Sequence, residues 1–554
     1  MCASAALVAT WPLVAHLTTS VPLGTEHEAT VPLFSMWNLW WTADRLPHAM
    51  AGFLNAPFFH PNHDVTTYSE PMPLTGLFAA PLWGLGAPPA LIYNLALLGL
   101  LTLNGLFAYR VVRALDLPMS PALLAGVLTV TLPIGAKLLG VLPNLALFGV
   151  LWTLDGLIRF GRNGSPRSAA WAAAGLVATF YTFEQWMLLF APLAVAAGLV
   201  ALSLQRFRRA AVVPLVAAGA VAGLAILPLA LPTSLRHSDL GFMRPAALVR
   251  GLSADAGDFV TRPPTASLPV PRRDPADTAG LFPGILLGGL ALGGAVLAVR
   301  STRWKRWGLW LIGGVAFSVV LALGLKLDLG GWRPFATLRG VSRAFAELRS
   351  PYRAAALAQL FLPVLAAFAL WRLRRLVPRW GTLLIVVVGL LAAGENLAIP
   401  APLVRIPHSP RTEWTAWLHA QPDRRVVTHV PLPAGFGVKD YEPETRRMFA
   451  QIDHHKPIVN GYSGFFPVGR TPEGKVFPVY AAFQVSMSRE FPSYELLCVL
   501  IRSLGSDTLV ADRDWLAAHG DRMQAFGAFL RPVYRDRDVQ IYALQAPANR
   551  CRAA

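Results

Sequence analysis

Long apolar stretches alternate with short polar loops over the first 400 residues of the chain. A helix needs about 20 apolar residues to cross the hydrocarbon core of a bilayer. The pattern therefore predicts an α-helical polytopic membrane protein with about 11 transmembrane helices. The predicted spans lie at roughly 3–20, 88–109, 119–139, 142–160, 169–184, 186–204, 211–232, 279–299, 307–327, 353–371 and 380–399.

One further apolar segment, residues 72–86, is shorter than a span and contains Pro73 and Pro81. If it crossed the membrane, every later loop would change sides and the basic loops would face outward, against the positive-inside rule. We therefore predict a re-entrant or interfacial helix here.

After Pro400 the pattern changes to short alternating helix-like and strand-like segments, which is typical of a small α/β domain. We accordingly predict a transmembrane domain over 1–400, with a first outer loop at 21–87, and a soluble extracytoplasmic α/β domain over 401–554. The predicted helices lie at 411–421 and 493–505, and the predicted strands at 425–433, 507–511 and 539–544.

The charge distribution supports this organisation. Only 14% of the residues are charged, against about 25% in soluble domains. The net charge of +18 is explained by the orientation of the chain in the membrane rather than by nucleic-acid binding, because the basic residues cluster in short loops between spans. Alternate loops carry them, which predicts a cytoplasmic N-terminus and an extracytoplasmic C-terminal domain. The clusters lie near Arg110, Arg159, Arg206, Arg300 and Arg372.

The sequence carries few recognisable motifs. Its three cysteines, Cys2, Cys498 and Cys551, form no CxxC pair, so a zinc site is unsupported. Cys498 and Cys551 are free to pair if their domain lies in an oxidising compartment. No phosphate-binding glycine loop, GxSxG or HExxH is present. Without a cytoplasmic domain to bind a soluble nucleotide sugar, any donor substrate must come from the membrane.

The first outer loop holds the main candidate chemistry, the acidic pair Glu26 and Glu28 with His27 between them. Two carboxylates at this spacing can hold a divalent cation or act as a general base, and a solvated turn explains them equally simply. The loop continues with Trp37, Trp40 and Trp41. Because tryptophan concentrates at membrane interfaces, we expect this loop to lie on the bilayer.

Other ionisable residues carry weaker signals. His60, His63 and Asp64 have a spacing that suits a metal, but Pro61 and Asn62 between them favour a turn. Asp155 precedes Arg159 by one helical turn, which predicts an ion pair near the inner face.

Further acidic residues occur where the first loop and the predicted spans meet. Glu184 and Glu395 fall at predicted outer ends of spans, where they can line a cavity below the first loop together with His27 and Glu70. No continuous polar path crosses the predicted bundle, which argues against an ion-coupled transporter.

A later outer loop is unusually basic for its side of the membrane. It contains Arg333, Arg339, Arg343 and Arg349, and Arg353 follows at the next span. Arginine suits an anionic headgroup or a lipid phosphate. The alternative is that these residues pair with Asp328, Glu347 and the C-terminal domain.

Several segments resemble the glycosyltransferase C (GT-C) superfamily of polytopic membrane enzymes, and most closely its bacterial YfhO-like branch of predicted lipid-linked glycosyltransferases. The similarity covers nearly the whole chain, but its motifs are loose patterns of aromatic residues, proline and arginine. The matching segments are WNLWW (37–41), APFFHPNHDV (56–65), IYNLALLGLLTLNGLFAYRVVRAL (92–115), LRSPYRAAALA (348–358) and PIVNGYSGFFP (457–467).

The resemblance implies transfer of a sugar from a polyprenyl-phosphate-linked donor to an acceptor on the outer face. The family's catalytic carboxylate lies in the first outer loop, which corresponds to Glu26 or Glu28. Many members have aspartate there, so the glutamates leave the activity of this site open. The family's phosphate-binding arginine corresponds most nearly to Arg349 or Arg353. A divalent cation, if one is used, would be held by the two glutamates.

Three hypotheses follow. The first is a glycosyltransferase of the bacterial inner membrane, acting on an envelope glycan, lipid or protein acceptor. The second is a non-catalytic membrane scaffold of envelope glycan assembly, which binds a partner or glycan through its outer domain. The third is a lipid or polysaccharide transporter, which the missing polar path disfavours. None of them involves nucleic acid.

Overall fold

The computed structural model describes residues 1–263, 278–468, 479–546 and 551. The chain divides into two compact units, which we call the membrane unit and the mixed unit. The predicted domain boundary near residue 400 stays a prediction; in the structure, residues 27–93 group with the C-terminal residues. The membrane unit contains Met1–Glu26, Asn94–Leu231 and Phe242–Val404, and the mixed unit contains His27–Tyr93, Pro232–Gly241 and Arg405–Ala554.

Six helices in the described part of the chain are long and apolar enough to cross a membrane, and two shorter apolar helices, Ile285–Arg300 and Gly381–Glu395, accompany them. The chain is therefore a multi-pass membrane protein, although the predicted number of 11 spans is not confirmed. The six helices are Pro89–Ala114, Met119–Lys137, Glu184–Leu204, Arg209–Leu240, Lys305–Lys326 and Pro351–Leu376.

Burial identifies the central helix of the membrane unit. In the most apolar 18-residue stretch of Pro351–Leu376, 83% is buried within the protein, whereas the corresponding value for Arg209–Leu240 is 11%. The central helix packs against Met119–Val130, Ile285–Arg300 and Lys305–Leu323. The turn that begins it therefore lies where several helices converge.

The first predicted span differs from the structure. Residues 3–20 were expected to form one helix, but the helix covers only Cys2–Ala9 and a short 3₁₀ turn follows at Leu13–Ala15. Pro12 lies between the two and has no backbone N–H to continue a helix. The helices Phe148–Asn163 and Pro166–Thr182 match predicted spans in position but are shorter than a full crossing.

The mixed unit is built around a four-stranded sheet. Its strand order is Val427–Val430, Thr508–Asp512, Val539–Leu544, Leu530–Arg535, with the first pair parallel and the other pairs antiparallel. The strands predicted at 425–433, 507–511 and 539–544 are all present.

The described helices of the mixed unit are Thr30–Arg45, Pro73–Gly84, Glu413–His419, Glu442–His454, Tyr480–Glu490, Tyr494–Cys498 and Arg513–Ala525. A disulfide joins Cys498 to Cys551, so the pairing that the sequence left open is present.

The tryptophan run of the first loop is part of the core of the mixed unit. Trp37 is fully buried, and its indole N–H donates to Gln451 Oε1 at 3.0 Å. The ring of Trp37 also packs edge-on against Phe58, with centroids 5.0 Å apart. Trp40 and Trp41 are 7% and 6% exposed. Protein therefore covers these tryptophan side chains, so they do not anchor the loop in lipid, and the position of the loop on the bilayer stays a prediction.

The short apolar segment at 72–86 forms the helix Pro73–Gly84, which packs on Thr30–Arg45. A helix was predicted here, and its re-entrant or interfacial position stays a prediction. Gly76 makes this packing close, since a Cβ there would lie 2.4 Å from Thr42 Cβ.

Candidate functional site

Glu26 is held against the membrane unit by the turn that precedes it. Gly24 adopts a φ of +61°, and any Cβ there would lie 2.4 Å from the Lys137 carbonyl oxygen. That same oxygen accepts hydrogen bonds from the Thr25 backbone N–H at 3.0 Å and the Thr25 hydroxyl at 3.2 Å. Glu26 itself is half-buried beside Gly140. The position of Glu26 is therefore fixed by the segment around Lys137.

Lys137 lies at the end of the short helix Pro133–Lys137 and is 3% exposed. Its ammonium group donates to the Ala279 carbonyl oxygen and lies 5.2 Å from the ring centroid of Tyr352. A buried charge in a membrane protein is costly to insert and usually marks a functional site. The sequence analysis did not name Lys137, although no other charged residue occurs between Asp116 and Asp155.

Arg349 lies two residues before the 3₁₀ turn Pro351–Ala354 that begins the central helix, and Arg353 lies within that turn. Both side chains are partly buried, and the Nε–H group of each is buried without a hydrogen-bond acceptor. Among the described residues, neither arginine forms an ion pair with a carboxylate. Buried donors usually have partners, so these two groups are suited to an anionic ligand.

The other arginines of this basic loop behave differently. Arg333 pairs with Asp328 at 2.9 Å, and Arg343 pairs with Glu347 at 3.1 Å. Arg339 donates to the backbone carbonyl of Arg244 through Nη2, while its Nη1 is buried without an acceptor, as are the Nε groups of Arg349 and Arg353. Arg333 and Arg343 thus each have an acidic partner within the loop, whereas Arg349 and Arg353 have none among the described residues and remain the candidates for the donor phosphate.

Several of these residues belong to one part of the membrane unit. The turn before Glu26 contacts the backbone of Lys137, and the Lys137 side chain contacts Tyr352, the residue next to Arg353. A carboxylate can accept a proton, while an ammonium and guanidinium groups can bind phosphate oxygens. A carboxylate, an ammonium and guanidinium groups therefore belong to this part of the membrane unit.

Glu28 and His27 belong to the mixed unit and are both exposed. Glu28 shares a hydrogen bond with Glu442, and that bond, together with the negative charge of Glu442, raises the pKa of Glu28. Glu442 also accepts a hydrogen bond from Arg446 at 2.6 Å. The two predicted catalytic glutamates therefore have different surroundings, and only Glu26 is held by the Lys137 segment.

We expect the Glu28–Glu442 contact to be most stabilising in acid. A raised pKa in the folded state means that the contribution is fully present below the ordinary glutamate pKa of about 4.3 and is lost as the pH rises through the raised value. In the Glu28→Gln variant the amide donates to Glu442 at every pH. The difference in melting temperature between this variant and the unchanged protein should therefore become more favourable to the variant as the pH rises from 4 to 8. Glu490→Gln, another exposed glutamate of the mixed unit, should show no such gain.

The remaining predicted site residues lie in varied positions. Glu395 accepts from the backbone N–H groups of Ile285 and Leu286 at 2.7 and 2.9 Å and pairs with Arg262, so it fixes the start of a helix. Glu184 begins the helix Glu184–Leu204 and is half-buried.

Glu70 is also half-buried, and it accepts from the Ser69 hydroxyl at 3.1 Å in the mixed unit. Glu70 and His27 thus belong to a different unit from Glu184 and Glu395. That these four residues line one cavity stays a prediction.

The His60–Asp64 segment forms a turn. Asn62 donates to the Phe59 carbonyl oxygen at 2.8 Å, and burial lowers the pKa of His60. Within the described ranges, no group of three histidine, cysteine, aspartate or glutamate side chains is placed to hold a metal ion.

No protein-family model matches this sequence, and no curated protein matches it. Among solved structures, the chain is similar to the cryo-EM structure of arabinofuranosyltransferase AftD from Mycobacteria, with a TM-score of 0.58 and 18% identity over 99% of this chain and 40% of that chain. A mutant of AftD gives a TM-score of 0.56 and 17% identity over 99% of this chain and 41% of that chain.

The chain has a GT-C-like fold. It spans about two fifths of the length of the AftD chains. At this level of identity the likeness shows the fold alone. It agrees with the GT-C superfamily suggested by the sequence, and it gives no support to the YfhO-like branch.

Proposed function

We propose that this protein is a membrane glycosyltransferase that moves a sugar from a polyprenyl-phosphate-linked donor to an envelope acceptor on the extracytoplasmic face. The acceptor class is an envelope glycan, lipid or protein. The similarity to an arabinofuranosyltransferase supports the reaction type, and the arrangement around Lys137 supports the phosphate-linked donor.

The observation that carries the proposal is the pair of buried guanidinium N–H groups without acceptors on Arg349 and Arg353. They lie at the first turn of the most buried membrane helix, beside the Tyr352–Lys137 contact. A buried donor without an acceptor is unfavourable, and an anionic ligand would supply that acceptor. A lipid phosphate reaches such a site from the bilayer while its chain stays among the lipid tails.

The proposed chemistry is an inverting displacement. An acceptor hydroxyl attacks the anomeric carbon of the sugar, and Glu26 accepts the hydroxyl proton as general base. The bond between the anomeric carbon and the phosphate oxygen breaks, and polyprenyl phosphate leaves with that electron pair. Arg349, Arg353 and Lys137 stabilise the negative charge that develops on the departing phosphate.

We further propose that the protein lies in the bacterial inner membrane with its N-terminus in the cytoplasm and its C-terminal α/β domain outside. The basic clusters on alternate loops support this orientation. The Cys498–Cys551 disulfide supports it independently, because disulfides persist in oxidising compartments and are rare in the cytosol.

The phosphate site predicts the behaviour of Arg353→Ala. Hydrogen bonds to charged groups contribute about 1.5–3 kcal/mol, so the donor concentration at half-maximal rate should rise by about 10–100-fold. The assay uses the full-length protein in nanodiscs with a panel of polyprenyl-phosphate-linked sugars. It measures release of free polyprenyl phosphate in the presence of a panel of envelope glycan, lipid and protein acceptors, whose hydroxyl groups take up the sugar.

Arg333→Ala is the matched control, because Arg333 is exposed and already paired with Asp328. It should leave the donor dependence unchanged, and equal effects of the two substitutions would contradict the assignment. If no donor releases polyprenyl phosphate while a glycan still binds saturably, the scaffold hypothesis replaces the enzyme.

A further inference from the structure

The segment Asp328–Glu347 connects two membrane helices and therefore starts and ends at one surface of the bilayer. The preceding helix, Lys305–Lys326, has 22 residues. At 1.5 Å per residue it is about 33 Å long, close to the thickness of the hydrocarbon core at about 30 Å. The segment thus begins at the boundary between lipid tails and headgroups. The next helix, Pro351–Leu376, begins four residues after the segment ends.

A tight turn at the start of this segment presents two apolar side chains. Leu329 and Trp332 are paired as a β-bridge across Gly330 and Gly331, whose φ values are +65° and +92°. Positive φ at both central residues is the requirement of the type I′ hairpin turn. Asp328 secures the turn by accepting from the Gly331 N–H at 2.7 Å. Leu329 and Trp332 are nevertheless 52% and 56% exposed.

The helix that follows, Pro334–Val341, continues the same pattern. Phe335 is buried and packs edge-on against Phe345, with centroids 6.0 Å apart, which attaches the helix to the protein. Val341, at the other end, is 79% exposed. Three large apolar residues of one short segment are thus left uncovered by the chain, which is unfavourable in water.

Cationic side chains accompany these apolar residues. Arg333 and Arg343 are 49% and 39% exposed, and each pairs with an acidic residue of the segment. Exposed pairs of this kind contribute little, and a guanidinium has five donors, so Arg333 and Arg343 can bind a headgroup phosphate in addition to their carboxylate partners. The segment contains three arginines, Arg333, Arg339 and Arg343, against one aspartate and one glutamate, and so carries a net charge of +1.

We propose that Asp328–Glu347 is a membrane-surface anchor. It inserts Leu329, Trp332 and Val341 at the headgroup level and binds anionic phosphodiester headgroups through Arg333 and Arg343. Tryptophan favours this depth, and arginine is attracted to an anionic membrane surface. The anchor is distinct from the proposed donor site, since neither Arg349 nor Arg353 belongs to it.

The test is a depth measurement on the full-length protein. A nitroxide label is attached to Val341→Cys in a Cys2→Ser background and, separately, to Arg537→Cys in a polar hairpin of the mixed unit. Arg537 has an 89% exposed side chain and serves as the aqueous control. The proteins are placed in nanodiscs of phosphatidylcholine alone or with added phosphatidylglycerol. Relaxation by oxygen, which concentrates in lipid, is compared with relaxation by a water-soluble nickel chelate.

The label at 341 should be relaxed several-fold more by oxygen than by the chelate, and more so with phosphatidylglycerol. The label at 537 should show the opposite preference. The double substitution Arg333→Gln and Arg343→Gln should abolish the effect of the anionic lipid, and Trp332→Ser should make the label at 341 shallower. Chelate access at 341 equal to that at 537 overturns the anchor, and a depth unaffected by phosphatidylglycerol overturns the headgroup binding. Neither result depends on sugar transfer.

Discussion

Glu26→Gln is expected to lower the rate of sugar transfer by about 10²–10⁴-fold, the usual contribution of a positioned general base. Glutamine keeps the size and much of the hydrogen bonding of glutamate but cannot accept the proton of the acceptor hydroxyl. Binding of the donor should be little changed, because the proposed phosphate ligands are Lys137, Arg349 and Arg353. The measurement is the turnover of polyprenyl-phosphate-linked sugar at saturating donor.

Glu28→Gln is the matched control for this substitution. It removes an identical charge two residues away, but Glu28 is exposed and contacts Glu442 in the mixed unit, whereas Glu26 is half-buried beside Gly140. Activity should therefore persist in Glu28→Gln. Loss of activity in Glu28→Gln with activity retained in Glu26→Gln would reverse the assignment. Equal losses would indicate that the two carboxylates act together, as in a shared cation site.

The membrane helices could be predicted from sequence because hydrophobic length directly reflects the thickness of the bilayer. Local ion pairs could also be predicted from the sequence: Asp155 contacts Arg159 at 2.7 Å, as the one-turn spacing predicted. What the sequence could not show is that Asp155 also binds Arg110 at 3.0 Å and the Trp171 indole at 3.0 Å. Those partners come from other helices, and nothing in the spacing along one helix identifies them.

The tryptophans of the first loop illustrate a second limit. Trp37 satisfies its indole N–H with Gln451, more than 400 residues later, so burial there depends on a contact that no local pattern contains. The same composition suits a membrane interface and a protein core, because tryptophan has an apolar ring and one polar atom.

The candidate site was predictable only in part. Glu26 was identified from the acidic pair of the first loop and Arg353 from the basic outer loop, and the family resemblance then gave each a role. Lys137 contacts both the turn before Glu26 and the residue next to Arg353. The only feature of the sequence that could have identified Lys137 is that it is the single charged residue of a long apolar stretch.

Arg447→Ala is expected to destabilise the mixed unit by about 3–5 kcal/mol, as breaking one side of a buried ion pair does. Arg447 is 5% exposed, and its guanidinium bonds Glu444, the Pro431 carbonyl at 2.6 Å and Asp512 at 2.9 Å. Glu444 is fully buried, and without Arg447 its charge would have no cation. Arg447 also joins the helix Glu442–His454 to the central strand Thr508–Asp512. Hydrogen exchange of that strand's amides should accelerate accordingly, because sub-global opening becomes easier.

The neighbouring Arg446 provides the control for this experiment. Arg446 lies on the same helix and also pairs with a glutamate, Glu442 at 2.6 Å, but its side chain is 45% exposed. Arg446→Ala should therefore destabilise by only about 0.2–1 kcal/mol, the range of solvent-exposed pairs. Adding Glu444→Gln to Arg447→Ala should restore part of the lost protection, because a neutral amide is less unfavourable in the buried site than an unpaired carboxylate. Equal losses at positions 446 and 447, or no recovery in the double variant, would show that burial of the charge is not what makes Arg447 important.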